Sequence, residues 1–153
     1  MQKDYILDTN ILIEDAKSIE NLKNGVENRI YITSTTIEEL DKLKDKKPQL
    51  KGRIFEVLDE LEVHKDDVEI LYSSAERNFE SQDNRIIEEI LHNINGLYKP
   101  VFVTNDRILQ FKSYKKGIIT ESYRTSIPFK QESEDYTGFI EPYTEEKVNN
   151  CFY

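Results

Sequence analysis

Thiol and imidazole groups are almost absent from this chain. It has one cysteine, Cys151, and two histidines, His64 and His92, among 153 residues. A single cysteine cannot form an internal disulfide, so we expect a reducing compartment, the cytoplasm. Two histidines and one cysteine also cannot supply the four ligands of a structural zinc site. The composition therefore excludes disulfide-stabilised and zinc-stabilised domains.

Long apolar segments are absent as well. No stretch approaches the roughly 20 apolar residues of a membrane-spanning helix, so we expect no membrane association. The first residues, MQKDYILDT, lack the apolar region and cleavage site of a signal peptide. The pattern G-x-x-x-x-G-K-[ST] does not occur, so ATP-driven helicase action cannot be assigned to this chain.

Basic side chains are fewer than acidic ones. The chain has 21 lysines and arginines against 30 aspartates and glutamates, which gives a formal net charge of −9. A negative overall field does not attract nucleic acid to a broad surface, which counts against a passive DNA-coating protein. A nuclease is still compatible with this charge, because bound divalent cations can neutralise clustered carboxylates.

The pattern that is present alternates apolar strands with amphipathic helices. Runs rich in β-branched and aromatic residues predict strands at 4–7, 29–33, 68–72, 101–104 and 117–120. Apolar residues at helical spacing predict helices between them. This alternation predicts an α/β protein, a three-layer α/β/α sandwich with a mainly parallel sheet of about five strands.

The alternation fades near Arg124. The length suits one domain of ordinary size with one core. We therefore expect a single domain over residues 1–124. Residues 125–153 are expected to form an extension, or the start of a linker to a domain that this chain does not include.

Three acids are expected where helices follow strands. Asp8 ends the first strand, Asp106 lies two residues beyond VFVT, and Asp83 begins the helix after the third strand. In open α/β sheets, ligands bind outside the carboxyl ends of the strands. These acids should therefore meet at one edge of the sheet.

The helix TTIEELDKLK contributes the fourth acid. A helix beginning near Thr36, capped by Ser34 or Thr35, places Glu39 beside its buried stripe. Glu38 points away and is expected to be solvated. Asp41 borders the other side of the stripe and is kept as a reserve candidate.

Four crowded carboxylates repel one another and raise one another's pKa. A hard cation such as Mg²⁺ or Mn²⁺ removes this conflict, because it prefers oxygen ligands. It can also activate a water and stabilise charge on a phosphate. The spacing therefore suits metal-dependent phosphodiester hydrolysis. The structural alternatives are helix caps for the three aspartates and an ordinary half-exposed helix position for Glu39.

Four segments resemble, in order, the motifs of the PIN-domain nucleases: YILDTNILI, TTIEELDKLK, QDNRIIEEIL and VFVTNDRIL. ITSTTIEELDKLK, ESYR and YTGFIE are most similar to the PIN domain at the amino end of bacterial and phage PhoH-like proteins. The resemblance covers about residues 3–140. PhoH-like proteins pair this domain with an ATPase, so the chain is either part of such a protein or one that stands alone.

This resemblance implies an endoribonuclease that depends on Mg²⁺ or Mn²⁺ and acts on single-stranded RNA. It also implies a parallel α/β sandwich. The catalytic and metal-binding acids would be Asp8, Glu39, Asp83 and Asp106. The residues supporting them would be Thr9 and Asn10 around Asp8, with Thr104 and Asn105 around Asp106.

Substrate contacts are less specific in the sequence. Arg85 and Arg107, each close to an acid, are expected to bind RNA phosphates. A basic rim that includes Lys42 either binds RNA or is a solvated helix end; it comprises Lys42, Lys44, Lys46, Lys47, Lys51 and Arg53. Tyr72 and Phe79 either stack on bases or pack locally.

Two rival functions remain open. An aspartyl phosphatase would need a second aspartate two positions after Asp8, where the chain has Asn10. A phospho-acceptor domain would need a lysine at the end of a late strand, and VFVTND has none. The second rival is a PIN fold that serves assembly or RNA docking without catalysis. A homo-oligomer is compatible with each function.

Overall fold

The structure, a computed structural model, describes residues 2–73 and 81–123. Five strands form one sheet in these residues: β1 (Asp4–Leu7), β2 (Arg29–Thr33), β3 (Val68–Leu71), β4 (Pro100–Val103) and β5 (Thr120–Glu121). All neighbouring strands are parallel, in the order β3-β2-β1-β4-β5. The predicted extension 125–153, Arg124 and Phe79 lie outside the described residues.

Six helices connect the strands within the same residues. They are α1 (Thr9–Glu14), α2 (Ser18–Lys23), α3 (Ser34–Lys46), α4 (Lys51–Val63), α5 (Gln82–Asn93) and α6 (Arg107–Lys115). Single 3₁₀ turns follow α3 and α5, at Pro48–Leu50 and Ile94–Gly96. None of the described helices combines the length and apolar character needed to cross a bilayer.

The pleat of the central strand explains the layers. Successive side chains of a strand point to opposite faces of the sheet. Tyr5 and Leu7 pack into a core with α1 to α4, whereas Ile6 packs into a second core with α5 and α6. The helices therefore cover both faces, which confirms the predicted three-layer α/β/α class.

A topological switch point lies between β1 and β4. These strands are neighbours in register, with Leu7 opposite Val103. The helices that follow them, α1 and α6, pack on opposite faces of the sheet. Such a reversal opens a crevice at the carboxyl ends of the strands, called here the carboxyl edge. Asp8 and Thr104 are the first residues past the two strands.

The residues that cap α1 and α3 set where these helices begin, and α3 begins earlier than the sequence indicated. Helix α1 begins at Thr9 because Asp8 occupies its cap position with extended dihedrals. Helix α3 begins at Ser34, and its cap is Thr33 rather than Ser34 or Thr35. The Thr33 hydroxyl oxygen accepts the Thr36 amide at 3.2 Å. The last residue of β2 therefore serves both the sheet and the helix.

The fifth strand is shorter and later than the predicted 117–120. Gly117, with a φ of +86°, and Ile118 close the end of α6 by bonding back to Tyr114 and Ser113. Their amides are used there, so sheet pairing in β5 is confined to Thr120–Glu121. The left-handed conformation explains the glycine at position 117.

Candidate active site

Asp8 is a buried carboxylate at the carboxyl end of β1. Only 4% of the residue is exposed. Its Oδ1 accepts the Thr9 amide at 2.8 Å, and its Oδ2 accepts the Thr104 hydroxyl at 2.8 Å. Its own amide donates to the Val103 carbonyl at 3.0 Å, which continues the pairing of β1 with β4. The strand pairing therefore fixes the backbone at Asp8, and the hydrogen bonds from Thr9 and Thr104 fix the orientation of its side chain.

Burial and neighbouring acids act on the ionisation of Asp8. Desolvation raises the pKa of Asp8 to about 6, against hydrogen bonds from Thr104 and Thr9 that lower it. The negative charges of Glu39 and Asp106 raise it further. Two of the other predicted acids thus act on Asp8 at the carboxyl edge. A cation at this position would relieve both the desolvation and the repulsion.

Thr104 connects the two acid-bearing segments. Its hydroxyl donates to Asp8 and accepts the Asp106 amide at 3.1 Å, while the whole residue is buried. Its amide donates to the carbonyl of Glu121 at 3.0 Å. The predicted support by Thr104 therefore extends to Asp8 as well as to Asp106.

Asp106 caps α6 and is exposed. Its Oδ1 accepts the amides of Ile108 and Leu109 at 2.9 and 3.1 Å. No hydrogen bond joins its Oδ2 to a described residue, so this oxygen is open to solvent or to a ligand. The cap alternative is correct for Asp106, and it leaves half of the carboxylate available.

Hydroxyl groups position the first turn of α3. Thr36 Oγ1 accepts the hydroxyls of Thr9 and Thr33 at 3.0 and 3.1 Å, and all three residues are buried. This network joins the carboxyl ends of β1 and β2. Glu39 follows Thr36 by three residues, so both lie on the same face of α3. Its half-exposed carboxylate makes no hydrogen bond within the described residues.

Asp83 lies half-buried in the first turn of α5. The cap of α5 is Ser81, whose hydroxyl oxygen accepts the Asn84 amide at 3.2 Å. The cap alternative for Asp83 is therefore wrong. Asp83 is not among the main charges that raise the pKa of Asp8, unlike Glu39 and Asp106.

Arg85 and Glu38 form an ion pair between α5 and α3. The Arg85 guanidinium donates to Glu38 Oε1 at 2.5 Å. The prediction that Glu38 is simply solvated is therefore corrected, because an arginine 47 positions away contacts it. Arg85, proposed from the sequence as a phosphate contact, is engaged by this carboxylate in the structure.

The remaining predicted residues are spread around the carboxyl edge. Asn10 is exposed and makes no side-chain hydrogen bond within residues 2–73 and 81–123. Asn105 bonds Glu14 at 3.2 Å and the Tyr123 amide at 2.9 Å, rather than Asp106. Lys42 and Arg107 are exposed.

Two further predicted candidates are also solvent-facing. The reserve candidate Asp41 is exposed and pairs with Lys44 at 3.5 Å. Tyr72, just past β3, is 62% exposed. Neither residue is drawn into the hydrogen bonds around Asp8.

Glu89 is a buried acid that the sequence did not lead us to expect. Its carboxylate on α5 is fully buried and accepts the Ser34 hydroxyl at 2.5 Å and the Thr35 amide at 3.0 Å. These groups form the start of α3, where the helix dipole favours a negative charge. Glu89 lies three residues after Ile86, inside the apolar stripe of α5. An acid at such a position in the sequence indicates a buried carboxylate. The hydrogen bonds of Glu89 fix the position of α5 relative to the start of α3.

The donor groups at the carboxyl edge suit a hydrated hard cation. In the described parts of the chain, the three potential ligands whose donor atoms all lie within 4.8 Å of one another are Glu20, Glu60 and His64. In that group, Lys17 already bonds Glu60 at 2.9 Å. No three of the four predicted acids, Asp8, Glu39, Asp83 and Asp106, have donor atoms that all lie within this distance of one another in the described residues. Mg²⁺ usually keeps several waters and needs only one or two carboxylates, so the looser set still fits it.

Comparisons with known proteins agree with this architecture. A family model described as a PIN domain matches residues 5–124. A search of curated proteins found no match. The fold is similar to that of a domain of a functionally unknown protein from Methanocaldococcus jannaschii, at 15% identity and a TM-score of 0.58. That alignment covers 90% of this chain and 98% of the other.

Two further solved structures share the fold. The PIN domain endonuclease Utp24 has 20% identity and a TM-score of 0.54, covering 78% of this chain and 84% of that one. VapBC2 from Rickettsia felis, bound to a DNA fragment from its promoter, has 20% identity and a TM-score of 0.51. Its alignment covers 78% of this chain and 98% of that one. Because the family model matches more than half of its residues, this chain belongs to the PIN domain family.

Proposed function

We propose that this protein is a divalent-metal-dependent endoribonuclease that hydrolyses phosphodiester bonds in single-stranded RNA. The observation that supports it most is the buried Asp8 at the switch point, with the charges of Glu39 and Asp106 acting on it. PIN domains are generally metal-dependent nucleases, and the similar Utp24 is described as an endonuclease.

Asp8, Glu39 and Asp106 would hold Mg²⁺ or Mn²⁺, with Asp83 at the rim of the site. The bound cation would supply an activated water and offset charge on the phosphate. Thr9 and Thr104 orient Asp8 through their hydrogen bonds to its two oxygens. No side-chain nucleophile is needed, because the attacking group is a water.

Positive side chains near the acids would bind the RNA backbone. Arg107 follows Asp106 directly and is exposed, and Lys42 is exposed on α3. We assign phosphate contacts to these two residues. Arg85 would have to break its ion pair with Glu38 before it could bind a phosphate. We therefore assign Arg85 the role of holding α5 against α3.

Cleavage of a labelled, unstructured RNA in the presence of Mn²⁺ tests this function. Asp8→Asn and Asp106→Asn are compared with the wild type and with Asp41→Asn, a matched control on the exposed face of α3. Losing metal-based stabilisation of several kcal/mol predicts a rate decrease on the order of 100- to 1,000-fold for Asp8→Asn. The control should keep the wild-type rate. Full activity in both site variants would refute the proposed site.

Two other outcomes would point to the rival functions. RNA binding without cleavage by the wild type would identify a docking or assembly module. Formation of a phospho-aspartate at Asp8 from a small phosphodonor would identify an aspartyl phosphatase-like domain, since hydrolysis by a metal-activated water forms no such intermediate.

The cellular setting is a further part of the proposal. The ESYR and YTGFIE segments support a PhoH-like relation, in which an ATPase domain belongs to a longer parent chain. The low cysteine content supports the cytoplasm. Sedimentation of the purified protein would measure its mass in solution and so test whether it forms a homo-oligomer.

A further inference from the structure

The outer face of α6 exposes three large apolar side chains next to the site. Ile108, Phe111 and Tyr114 are 67%, 65% and 72% exposed. They lie opposite Leu109 and Ser113, which are buried against the sheet. Apolar groups of this size on an exposed helix face indicate a binding surface when they are contiguous.

Cations share this face with the aromatic rings. At 100° per residue, Arg107 lies between Tyr114 and Phe111, and Lys115 lies between Phe111 and Ile108. Within the described residues, neither Arg107 nor Lys115 is at ion-pair distance from an acid. We call these five residues the α6 face: Arg107, Ile108, Phe111, Tyr114 and Lys115.

The α6 face is continuous with the candidate active site. Asp106 caps the helix, so Arg107 is its first residue. The nine residues of α6 extend about 13 Å from this cap at 1.5 Å per residue. A shallow cavity of about 550 Å³ lies along the helix and reaches Thr120 of β5. A strand lying there would enter the site at Asp106.

We propose that the α6 face binds single-stranded RNA beside the phosphate to be cleaved, with bases on Phe111 and Tyr114 and phosphates on Arg107 and Lys115. Single-stranded RNA is recognised by this combination of exposed aromatic rings and cations. The identity of the strand as substrate rests on the proposed function, whereas binding itself requires no cleavage.

Charge favours RNA over a second copy of the chain as the occupant. A two-fold dimer centred on this face would bring Arg107 and Lys115 of both copies together, and like charges repel. An RNA strand presents phosphates to the same cations. The whole chain has a net charge of −9. Against that charge, two cations that have no acidic partner among the described residues, next to exposed rings, favour an anion that carries aromatic groups.

Fluorescence anisotropy with a labelled, unstructured single-stranded RNA tests the proposal. The full chain with Asp8→Asn is used, so that cleavage does not distort binding. Phe111→Ala/Tyr114→Ala should weaken binding by at least about 10-fold, since each base stacked on a ring contributes. Phe111→Trp alone should retain the affinity. Lys115→Gln should reduce the dependence of affinity on salt concentration.

The control is Phe55→Ala/Tyr98→Ala, which removes two other exposed rings, 46% and 53% exposed, on α4 and before β4. It should bind RNA with the same affinity as the Asp8→Asn protein without these substitutions. Equal affinity for the Phe111/Tyr114 variant and this control would overturn the proposal. A wild-type dimer that becomes monomeric in the Phe111/Tyr114 variant would also overturn it and identify an interface between copies. Failure of the nuclease function alone would appear as RNA binding by the α6 face without cleavage by the wild type.

Discussion

The segments around Asp8 and Asp106 have similar sequences but different surroundings. Each places an aspartate after an apolar strand and at the cap of a helix. Asp8 is buried, and each of its oxygens accepts one fixed donor. Asp106 is exposed and uses one oxygen to cap α6, leaving the other open. The local motif therefore sets where an acid lies, and the packing around it decides whether ionisation is costly.

This difference predicts an unequal response to metal. At a Mn²⁺ concentration 100-fold above the dissociation constant, binding should raise the free energy of unfolding by about 2.7 kcal/mol. Asp8→Asn should lose most of this gain, because Asp8 is the acid that the cation relieves most. Asp106→Asn should lose less. Urea unfolding with and without Mn²⁺ measures the gain in each variant. Equal losses in the two variants would show that Asp8 and Asp106 contribute equally to metal binding.

Without metal, the buried acid should cost stability at neutral pH. Well below pH 3.8 the carboxyl is protonated in both states, and no penalty applies. Between pH 4 and 6 the unfolded chain releases the proton while folded Asp8 retains it, so stability falls as pH rises. A shift from 3.8 to about 6 corresponds to at most about 3 kcal/mol.

The Asn variant isolates this cost. Asp8→Asn should therefore stabilise the metal-free protein at pH 7 by on the order of 2 kcal/mol and have little effect at pH 4. The amide can accept from the Thr9 amide and donate to the Thr104 hydroxyl. Urea unfolding in a chelator at both pH values measures it. A destabilised variant at pH 7 would show that Asp8 is not electrostatically strained.

The bond from Thr104 to Asp8 offers a smaller test. Thr104→Val removes the hydroxyl that donates to Asp8 and accepts the Asp106 amide. Loss of a group that orients a metal ligand typically costs 10- to 100-fold in metal affinity or activity. Thr104→Ser retains the hydroxyl and should recover most of the rate. RNA cleavage by both variants checks this, and equal activity in Val and Ser would exclude an orienting role.

The smallest effect is expected at the cap of α6. Asp106→Ala should lower the free energy of unfolding by about 1 kcal/mol, because the amides of Ile108 and Leu109 lose their acceptor. Asp106→Asn should remain close to wild type in stability, since asparagine also caps helices. Thermal unfolding separates these outcomes, and an equal loss in both variants would mean that capping is not the structural role of Asp106.

The sequence predicted the features that depend on local pattern. Strand alternation identified the sheet, and a strand followed by an aspartate placed Asp8 and Asp106 at the carboxyl edge. The helical period of α3 singled out Glu39, whose charge acts on Asp8 in the structure. These signals are contained within about ten residues, so long-range packing was not needed to read them.

The features that were missed depend on two helices distant in the sequence. The Arg85–Glu38 ion pair and the Glu89 bonds at the start of α3 join positions 47 to 55 apart. Neither helix alone indicates its partner. The shorter β5 was missed for a related reason, because the amides near Gly117 close α6 instead of pairing in the sheet.

The proposed function depends most on Asp8 as a ligand of a catalytic metal. The most direct measurement is the cleavage rate of unstructured RNA as Mn²⁺ is added back to chelator-treated wild type and Asp8→Asn. We expect the wild type not to cleave RNA in chelator and its cleavage rate to rise to saturation as Mn²⁺ is added. At every Mn²⁺ concentration, the rate of Asp8→Asn should be at least about 100-fold lower. Equal rates in the two proteins, or cleavage that persists in chelator, would contradict it.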